Sequence, residues 1–515
     1  MKIFFLLIIN CFTAACLFAQ EPADALRFSW TVPSGTARQQ AIGGAMGSLG
    51  GDITATFINP AGLAFYKTGD IVLSPAYRFG KNKSNYLDRK EKESEKNFVL
   101  GTTGFVIGSG NGRGKVKNTA FSIGFNTTAN FNNDILYRGS NTQTSFTQKY
   151  LEELQNDNIK DDRAASQYPF GTSLAINTYL VDTVGGGTSG NYSFQSRARN
   201  LLPGQLLQEQ RIDNRGGIYE FALGGAANYD DKLMIGASFG LPILNYKREA
   251  TFTEADATAN ANNQFNFAAF TENLSTKGIG LNLKAGLIYK PQEFWRLGLA
   301  IHSPTFYSLT DNYQTSITAD VEGPQGELTQ SSTDFTNGSS EFKYTLITPY
   351  RVMGSVSYVL REIQDVSKQR GFLTADVEYV NYKTSSYHPP SDEEVITDQE
   401  DKDYLVTLNN AIDNAYKGAF NFRAGGELKF TTIMVRLGAA YYSNPYKNIN
   451  GEKGSKLNLS GGLGYRNKGF FADVTYVHNI NKDVHFPYRL QAASYKGATI
   501  KSGISNILLT LGWKI

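Results

Sequence analysis

His302, His388, His478 and His485 are the only histidines in a chain of 515 residues. None stands in a His-Glu-x-x-His metal spacing, and no serine lies in a nucleophile-elbow pattern. A triad gathered from distant strands is recognised by geometry rather than spacing, but no spacing here calls for one. The run Gly108-Ser109-Gly110-Asn111-Gly112-Arg113-Gly114 has the glycine density of a phosphate loop. It follows a strand pattern and opens no helix, so it reads as a turn. The net charge is +3, and no basic run is interleaved with aromatics as a nucleic-acid surface would require. No catalytic residue, metal ligand, cofactor or nucleic-acid partner is therefore expected, and the chain reads as a non-enzyme.

Charge recurs instead at every second position. In 372–382, Leu373, Ala375, Val377 and Tyr379 share one face while Thr374, Asp376 and Glu378 share the other. In 420–430, Phe420, Phe422, Ala424, Leu428 and Phe430 oppose Asn421, Arg423, Glu427 and Lys429. Period two is the strand period, and such faces suit a wall that is apolar on one side and water-lined on the other. Thr374, Asp376, Glu378, Arg423 and Glu427 are thus candidate lumen residues. A soluble sandwich also alternates, so more is needed. The apolar faces end in aromatics (Tyr229, Tyr289, Trp295, Tyr358, Tyr379, Tyr465, Tyr476, Trp513), as in the girdles of membrane barrels. With 51 Gly, 29 Tyr and 33 Phe against 15 Pro, the composition also favours strands and turns.

About fourteen such segments can be placed: 71–79, 98–107, 119–125, 219–229, 233–244, 279–289, 295–301, 344–359, 372–382, 420–430, 433–442, 457–466, 470–478 and 507–515. Pro75 and Pro242 each remove a ladder donor and predict a bend or an end. Short connections (230–231, 291–293, 431–432 and 467–468, with 108–116 and 361–370 somewhat longer) alternate with long polar insertions at 80–97, 126–218, 245–278, 302–343, 383–419 and 479–506, and a shorter one at 443–456. Outer-membrane barrels alternate in this way, with short periplasmic turns and long extracellular loops. The predicted fold is all-β, a transmembrane antiparallel barrel of about 14 strands with an N-terminal plug in the lumen.

Lys2, an apolar run over 3–9 and Leu17-Phe18-Ala19 before Gln20 read as a cleaved secretory signal over 1–19. An uncleaved anchor is the alternative. Cys11 and Cys16, the only cysteines, fall inside it; a lipid-modified Cys16 would place Thr13 where such signals usually carry Leu. Residues 20–70 precede the first strand and are Gly- and Ala-rich, as in Ala41-Ile42-Gly43-Gly44-Ala45-Met46-Gly47. They read as a segment folded into the lumen of a barrel over 71–515. Asn59-Pro60-Ala61 also reads simply as a rigid turn into the first strand.

Pro33-Ser34-Gly35-Thr36-Ala37-Arg38, Gly43-Gly44-Ala45, Asp52 and Asn59-Pro60-Ala61-Gly62-Leu63 resemble the N-terminal hatch of the FadL/TodX family of outer-membrane transporters. Residues 298–304, 348–351, 375–379 and 460–466 resemble its strand patterns, so the likeness spans most of the chain. The resemblance implies a fourteen-stranded barrel with a hatch at Gly43, Gly44, Asn59, Pro60, Ala61 and Gly62. It implies passive uptake of hydrophobic small molecules of the fatty-acid or hydrocarbon class, with release through a lateral opening. Trp513-Lys514-Ile515 in place of a terminal Phe, and the long 126–218 insertion, depart from the family pattern.

In the 383–419 insertion, Leu405, Leu408, Ile412 and Ala415 follow helical spacing beside Tyr404 and Tyr416. Such a helix could roof a greasy capture groove or pack onto its own loop; 149–167 carries a weaker version. Residues 89–96, with Glu91, Glu93 and Glu95 between basic residues, read as a solvated loop face or a contact for anionic lipopolysaccharide. The expected partners are a hydrophobic ligand, outer-membrane lipid and lipopolysaccharide, with the chain a monomer. The rival reading is a non-transporting barrel, an adhesin or structural protein acting through its long loops.

Overall fold

Two-residue alternation commits each segment to a pleated strand with one apolar face. Only closure of the sheet pairs every edge without water. The computed structural model describes residues 22–515 except 31–33, 111–113, 142, 185–191, 204, 259, 337, 339, 361–369, 391–398, 448–453 and 492–494. The expected signal over 1–19 lies outside the described residues, as does most of the 361–370 connection.

Fourteen antiparallel strands form the wall. They are β1 (Asp70–Leu73, resumed as Pro75–Tyr86), β2 (Arg89–Leu100, resumed as Thr103–Gly110) and β3 (Val116–Asn130, resumed as Asn133–Asn141). Next come β4 (Leu206–Tyr229), β5 (Leu233–Asp256), β6 (Phe267–Tyr289) and β7 (Trp295–His302, resumed as Phe306–Asp320). β8 (Glu341–Ile347, resumed as Arg351–Leu360), β9 (Gly371–Asn381), β10 (Gly418–Phe430) and β11 (Ile433–Tyr442) follow. β12 (Lys456–Asn467), β13 (Phe470–His485) and β14 (Ala498–Lys514) complete the set. Each pairs with its sequence neighbour, and β14 returns to β1 with Ile71 opposite Trp513, which closes the ring. Among the described residues no helix is long and apolar enough to cross a membrane.

All fourteen expected segments lie on wall strands, but several run further. Residues 245–256 and 267–278 continue β5 and β6 as a paired hairpin rather than a loop, and 80–97 is a hairpin of β1 and β2. The reason is visible on β5. Its outward residues Ile235, Phe239, Leu241 and Ile243 are exposed, a face suited to lipid. Beyond them the apolar residues are the inward Leu244, Tyr246, Ala250 and Phe252, all buried. The strand does not break; the apolar face changes sides where lipid gives way to water outside and to packed loops inside.

The expected single strand over 344–359 is two stretches, split at 348–350 by Pro349. β7 breaks at the same height, at 303–305 around Pro304. The two breaks support one another: the Thr305 amide donates to Thr348 Oγ1 at 2.9 Å and the Thr348 amide to the Thr305 carbonyl at 3.0 Å. β1 likewise breaks before Pro75. Pro242 acts more locally: its ladder to β4 continues through Glu220, while the ladder to β6 skips 241–242.

Among the described residues five α-helices accompany the wall: α1 (Pro22–Ser29), α2 (Ala37–Ala41), α3 (Gln148–Asn156), α4 (Thr172–Asn177) and α5 (Gln399–Ala415). α3 and α4 pack through Tyr150 and Leu174, with Phe146 just before α3, against Phe252 and Phe270 of the β5–β6 extension.

Candidate functional site

Local caps shape the N-terminal segment. Thr36, Asp52 and Asn59 accept from the amides of Gln39, Thr54 and Ala61 and start three short helical turns, with Pro60 at a first helical position where its missing N–H costs nothing. Arg38 donates to the Gly50 and Gly51 carbonyls and holds the intervening chain. The segment begins at the long-loop end, where Tyr416 donates to the Pro22 carbonyl at 3.0 Å. It ends at the short-turn end, where Gly69 and Ile515 exchange backbone hydrogen bonds.

Between those ends it is bonded to the inner face of the wall. The Ala37 amide donates to Thr510, the Gly43 amide to Ser460, and the Gly47 amide to Asp376 Oδ2 at 3.1 Å. Asn59, fully buried, donates to the Gly47 carbonyl at 2.6 Å and reaches the Leu287 and Leu299 carbonyls of β6 and β7. Gly43 has φ +69, and a Cβ there would lie 2.5 Å from the Ala439 carbonyl oxygen. Gly44 lies beside Arg423; Pro60 abuts Gly236, and Gly62 abuts Leu49. Ala61 is buried against Met234 and Ile288.

The candidate lumen residues all point inward, but into packed protein rather than a water-lined pore. Asp376, 1 % exposed, accepts from Gly47 and from Ser355 at 2.5 Å. Glu378 pairs with Arg423 at 2.8 Å and accepts from Asn421. Glu427 accepts from Arg436 at 2.6 Å and lies near Arg38, and Thr374 accepts from Ser357. Buried ions of this kind need both a partner and hydrogen bonds. Two further pairs, Lys284–Glu220 and Arg436–Asp473, belong to the same inner face. They were readable as charges in phase with the polar faces of their strands.

The loop-helix residues are elsewhere. Leu405, Leu408 and Ile412 are buried in one cluster with Leu26 and Phe28 of α1 and with Tyr387, and Tyr404 packs against it. α5 thus holds the start of the N-terminal segment. The four histidines occupy separate places: His302 contacts the Ile58 carbonyl, His388 Ser386, His478 Ser505 and His485 Tyr137.

Above the segment is a cavity of about 1220 Å³ enclosed by α1, the loops and the upper wall. Its lining mixes aromatic and apolar groups, including Trp30, Phe131, Phe252 and Tyr313, with cations. Several cations lie over rings: Lys149 is 4.3 Å from the Phe270 centroid and Lys456 is 3.4 Å from that of Trp30. Arg248 pairs with Glu272 at 3.3 Å. A smaller cavity of about 110 Å³ lies beside Gly44, Lys284, His302 and Arg351. In the loop region, burial pushes the Glu254 carboxyl up to about 7, although Ser145, the Phe146 amide and Gln208 hydrogen-bond to it.

The wall beside the large cavity is discontinuous. β2 and β3 pair only from Thr103 opposite Phe125 to Gly110 opposite Asn118. Above that, 89–100 pairs with β1 and 126–141 with β4, and among the described residues no ladder joins the two. Side chains and the N-terminal segment bridge the gap instead: Thr127 donates to the Leu100 carbonyl at 2.8 Å, Arg138 pairs with Glu91 at 2.6 Å, the Ser34 amide donates to the Thr127 carbonyl at 3.1 Å and the Thr102 amide to the Gly35 carbonyl at 2.9 Å. Val99, Thr127, Ala129 and Asn130 flank the interruption and line the cavity. Phe98, 81 % exposed, and Leu100 stand on the outer face at this height.

No family model and no curated protein matches the sequence. Solved structures do. A FadL homologue of Pseudomonas aeruginosa matches with a TM-score of 0.52 and 13 % identity, over 94 % of this chain and 99 % of that one. The toluene transporter TodX of Pseudomonas putida matches with a TM-score of 0.51 and 10 % identity, over the same shares. At such identity the likeness is one of fold. The chain has the β-barrel fold of the FadL homologue and TodX.

Proposed function

We propose that the protein is a passive outer-membrane channel for hydrophobic small molecules of the fatty-acid or hydrocarbon class. In this reading the ligand is captured in the large cavity and leaves sideways through the β2–β3 interruption. The observation that carries the reading is that Val99, Thr127 and Ala129 belong both to the cavity lining and to the edges of the interrupted wall. An apolar molecule gains about 25 cal/mol per Å² of surface removed from water, and a route from cavity to lipid that does not return it to water keeps that gain. The N-terminal segment closes the alternative route down the lumen. In this orientation the short turns face the periplasm and the long loops the exterior.

The structural neighbours are a FadL homologue and a toluene transporter, which is consistent with a transport role for this barrel. The test is Ala129→Trp, which fills the flank of the gap beside Leu26 and Phe28 of α1, with conductance recorded to show that the segment stays seated. Uptake of labelled oleate or toluene by transporter-deficient cells should fall while the barrel keeps its heat-modifiable migration. Unchanged uptake of both compounds by the folded variant would overturn lateral release.

A further inference from the structure

The first two strands and the last two present a lysine row that the uptake route does not use. On the outer face of the wall, Lys83 stands directly opposite Lys92 of β2 and Lys501 of β14. Lys501 in turn stands opposite Lys482 of β13. All four are exposed. Lys81, Lys90 and Lys96 are exposed on the same face, whereas Glu91, Glu93 and Glu95 alternate with the β2 lysines and turn inward. The charge-mixed run of 89–96 is therefore sorted by the pleat into a cationic outside and an acidic inside. Among the described residues, none of the four row lysines forms an ion pair with a carboxylate.

Like charges directly opposite in a sheet are destabilising, with Cβ atoms about 4.5–5.5 Å apart. Three successive Lys–Lys pairs in one row call for a counter-anion. The height of the row says which kind. Outward Val474, Tyr476 and Ile480 on β13, and Trp513, Leu509 and Ile507 on β14, form the exposed apolar belt. A tilted membrane strand needs about 9–11 residues, and Lys482 is the next outward position after Ile480. The row thus lies at headgroup depth, with Tyr77, Phe98 and Ile507 on the wall below it.

We propose that this row binds the phosphorylated disaccharide headgroup of lipopolysaccharide, its acyl chains lying down the apolar wall below. Four strands at about 4.8 Å spacing give a row about 14 Å long, a span that a disaccharide phosphorylated at both ends can bridge. Lysine ammonium groups act as point charges toward such phosphates. The inference rests on the membrane orientation given above, in which the long-loop end faces outward.

The test uses the purified full chain in detergent, titrated with diphosphoryl lipid A, with dephosphorylated lipid A and with inorganic phosphate. Diphosphoryl lipid A should bind saturably, and Lys83→Gln with Lys501→Gln should weaken it about tenfold or more through loss of charge-assisted contacts. If that pair fails to fold, Lys92→Gln with Lys482→Gln is the second variant. Equal binding of dephosphorylated lipid A, inorganic phosphate competing at equal concentration, or unweakened binding by a folded variant overturns the proposal. Orientation is read separately by labelling Lys482→Cys on intact cells with a membrane-impermeant maleimide. No labelling even after EDTA has released the lipopolysaccharide would place the row on the inner side and overturn both orientation and site. Labelling without lipid A binding would overturn the site alone.

Discussion

Asn59 occupies the space that a side chain at position 286 would need: a methyl group on Gly286 would fall 1.9 Å from Asn59 Oδ1. The wall strand gives up its side chain at the point where the N-terminal segment is pinned. Gly286→Ala should therefore displace the segment while leaving a folded barrel, and conductance in planar bilayers should rise. Asn59→Ala removes its bonds to the Gly47, Leu287 and Leu299 carbonyls, a loss of about 1–3 kcal/mol if they stay unpaired. Because the two sites touch, the effects should not add: the double variant should leak no more than Asn59→Ala alone. Full additivity would mean that the contact does not seat the segment.

Deleting 22–52 extends the same argument. It removes the bonds to Ser460 and Asp376 and opens the lumen, whose width grows with strand number. The deletion variant should keep heat-modifiable migration and admit small hydrophilic solutes, read as liposome swelling. A folded deletion variant with unchanged permeability would show that the segment is not the seal.

The two faces of β9 differ in what they contact. Val377 is 43 % exposed on the outer face, so Val377→Arg should cost about 2–4 kcal/mol near the midplane, falling toward the interfaces. Alternation alone suggests a nearly silent Asp376→Asn, yet Asp376 accepts from the Gly47 amide. That substitution should loosen the segment and raise conductance more than it lowers the urea midpoint of the barrel. Equal midpoint losses at both positions would contradict the assignment.

Glu254 predicts a pH dependence in the loop region. Its carboxyl is raised to about 7 chiefly by burial, above an unfolded value of about 4.3. A raised carboxyl stabilises the fold fully below the unfolded value, and that contribution is lost as pH rises through the folded one. Protease resistance of the 142–205 insertion should fall between about pH 4.5 and 7, and Glu254→Gln should flatten the profile. An unchanged profile in the variant would assign the dependence to another group.

Much of this was legible in the sequence. Period-two faces such as 372–382 placed all fourteen wall strands, because lipid outside and polar contacts inside impose opposite chemistries on neighbouring residues. The loop extensions were not legible from the outward faces, since beyond Ile243 the apolar residues of β5 face inward and its outward positions turn polar. The seat of the segment left a different trace. Gly236, Gly286, Gly298, Gly425 and Gly438 fall in phase with the inward positions of their strands and touch the segment. Glycine inside a strand marks close approach of another backbone, and these five are the trace of the seat in the sequence. The β2–β3 interruption left only Gly101-Thr102, too little to read.

Lateral passage is tested most directly by a reversible staple across the interruption. With the two native cysteines confined to 1–19, Val99→Cys and Thr127→Cys can be joined by a short, reductively cleavable bis-maleimide. The account predicts that the stapled protein loses uptake of labelled oleate or toluene, regains it on reduction, and keeps an unchanged low conductance throughout. Undiminished uptake in the fully stapled protein would contradict it.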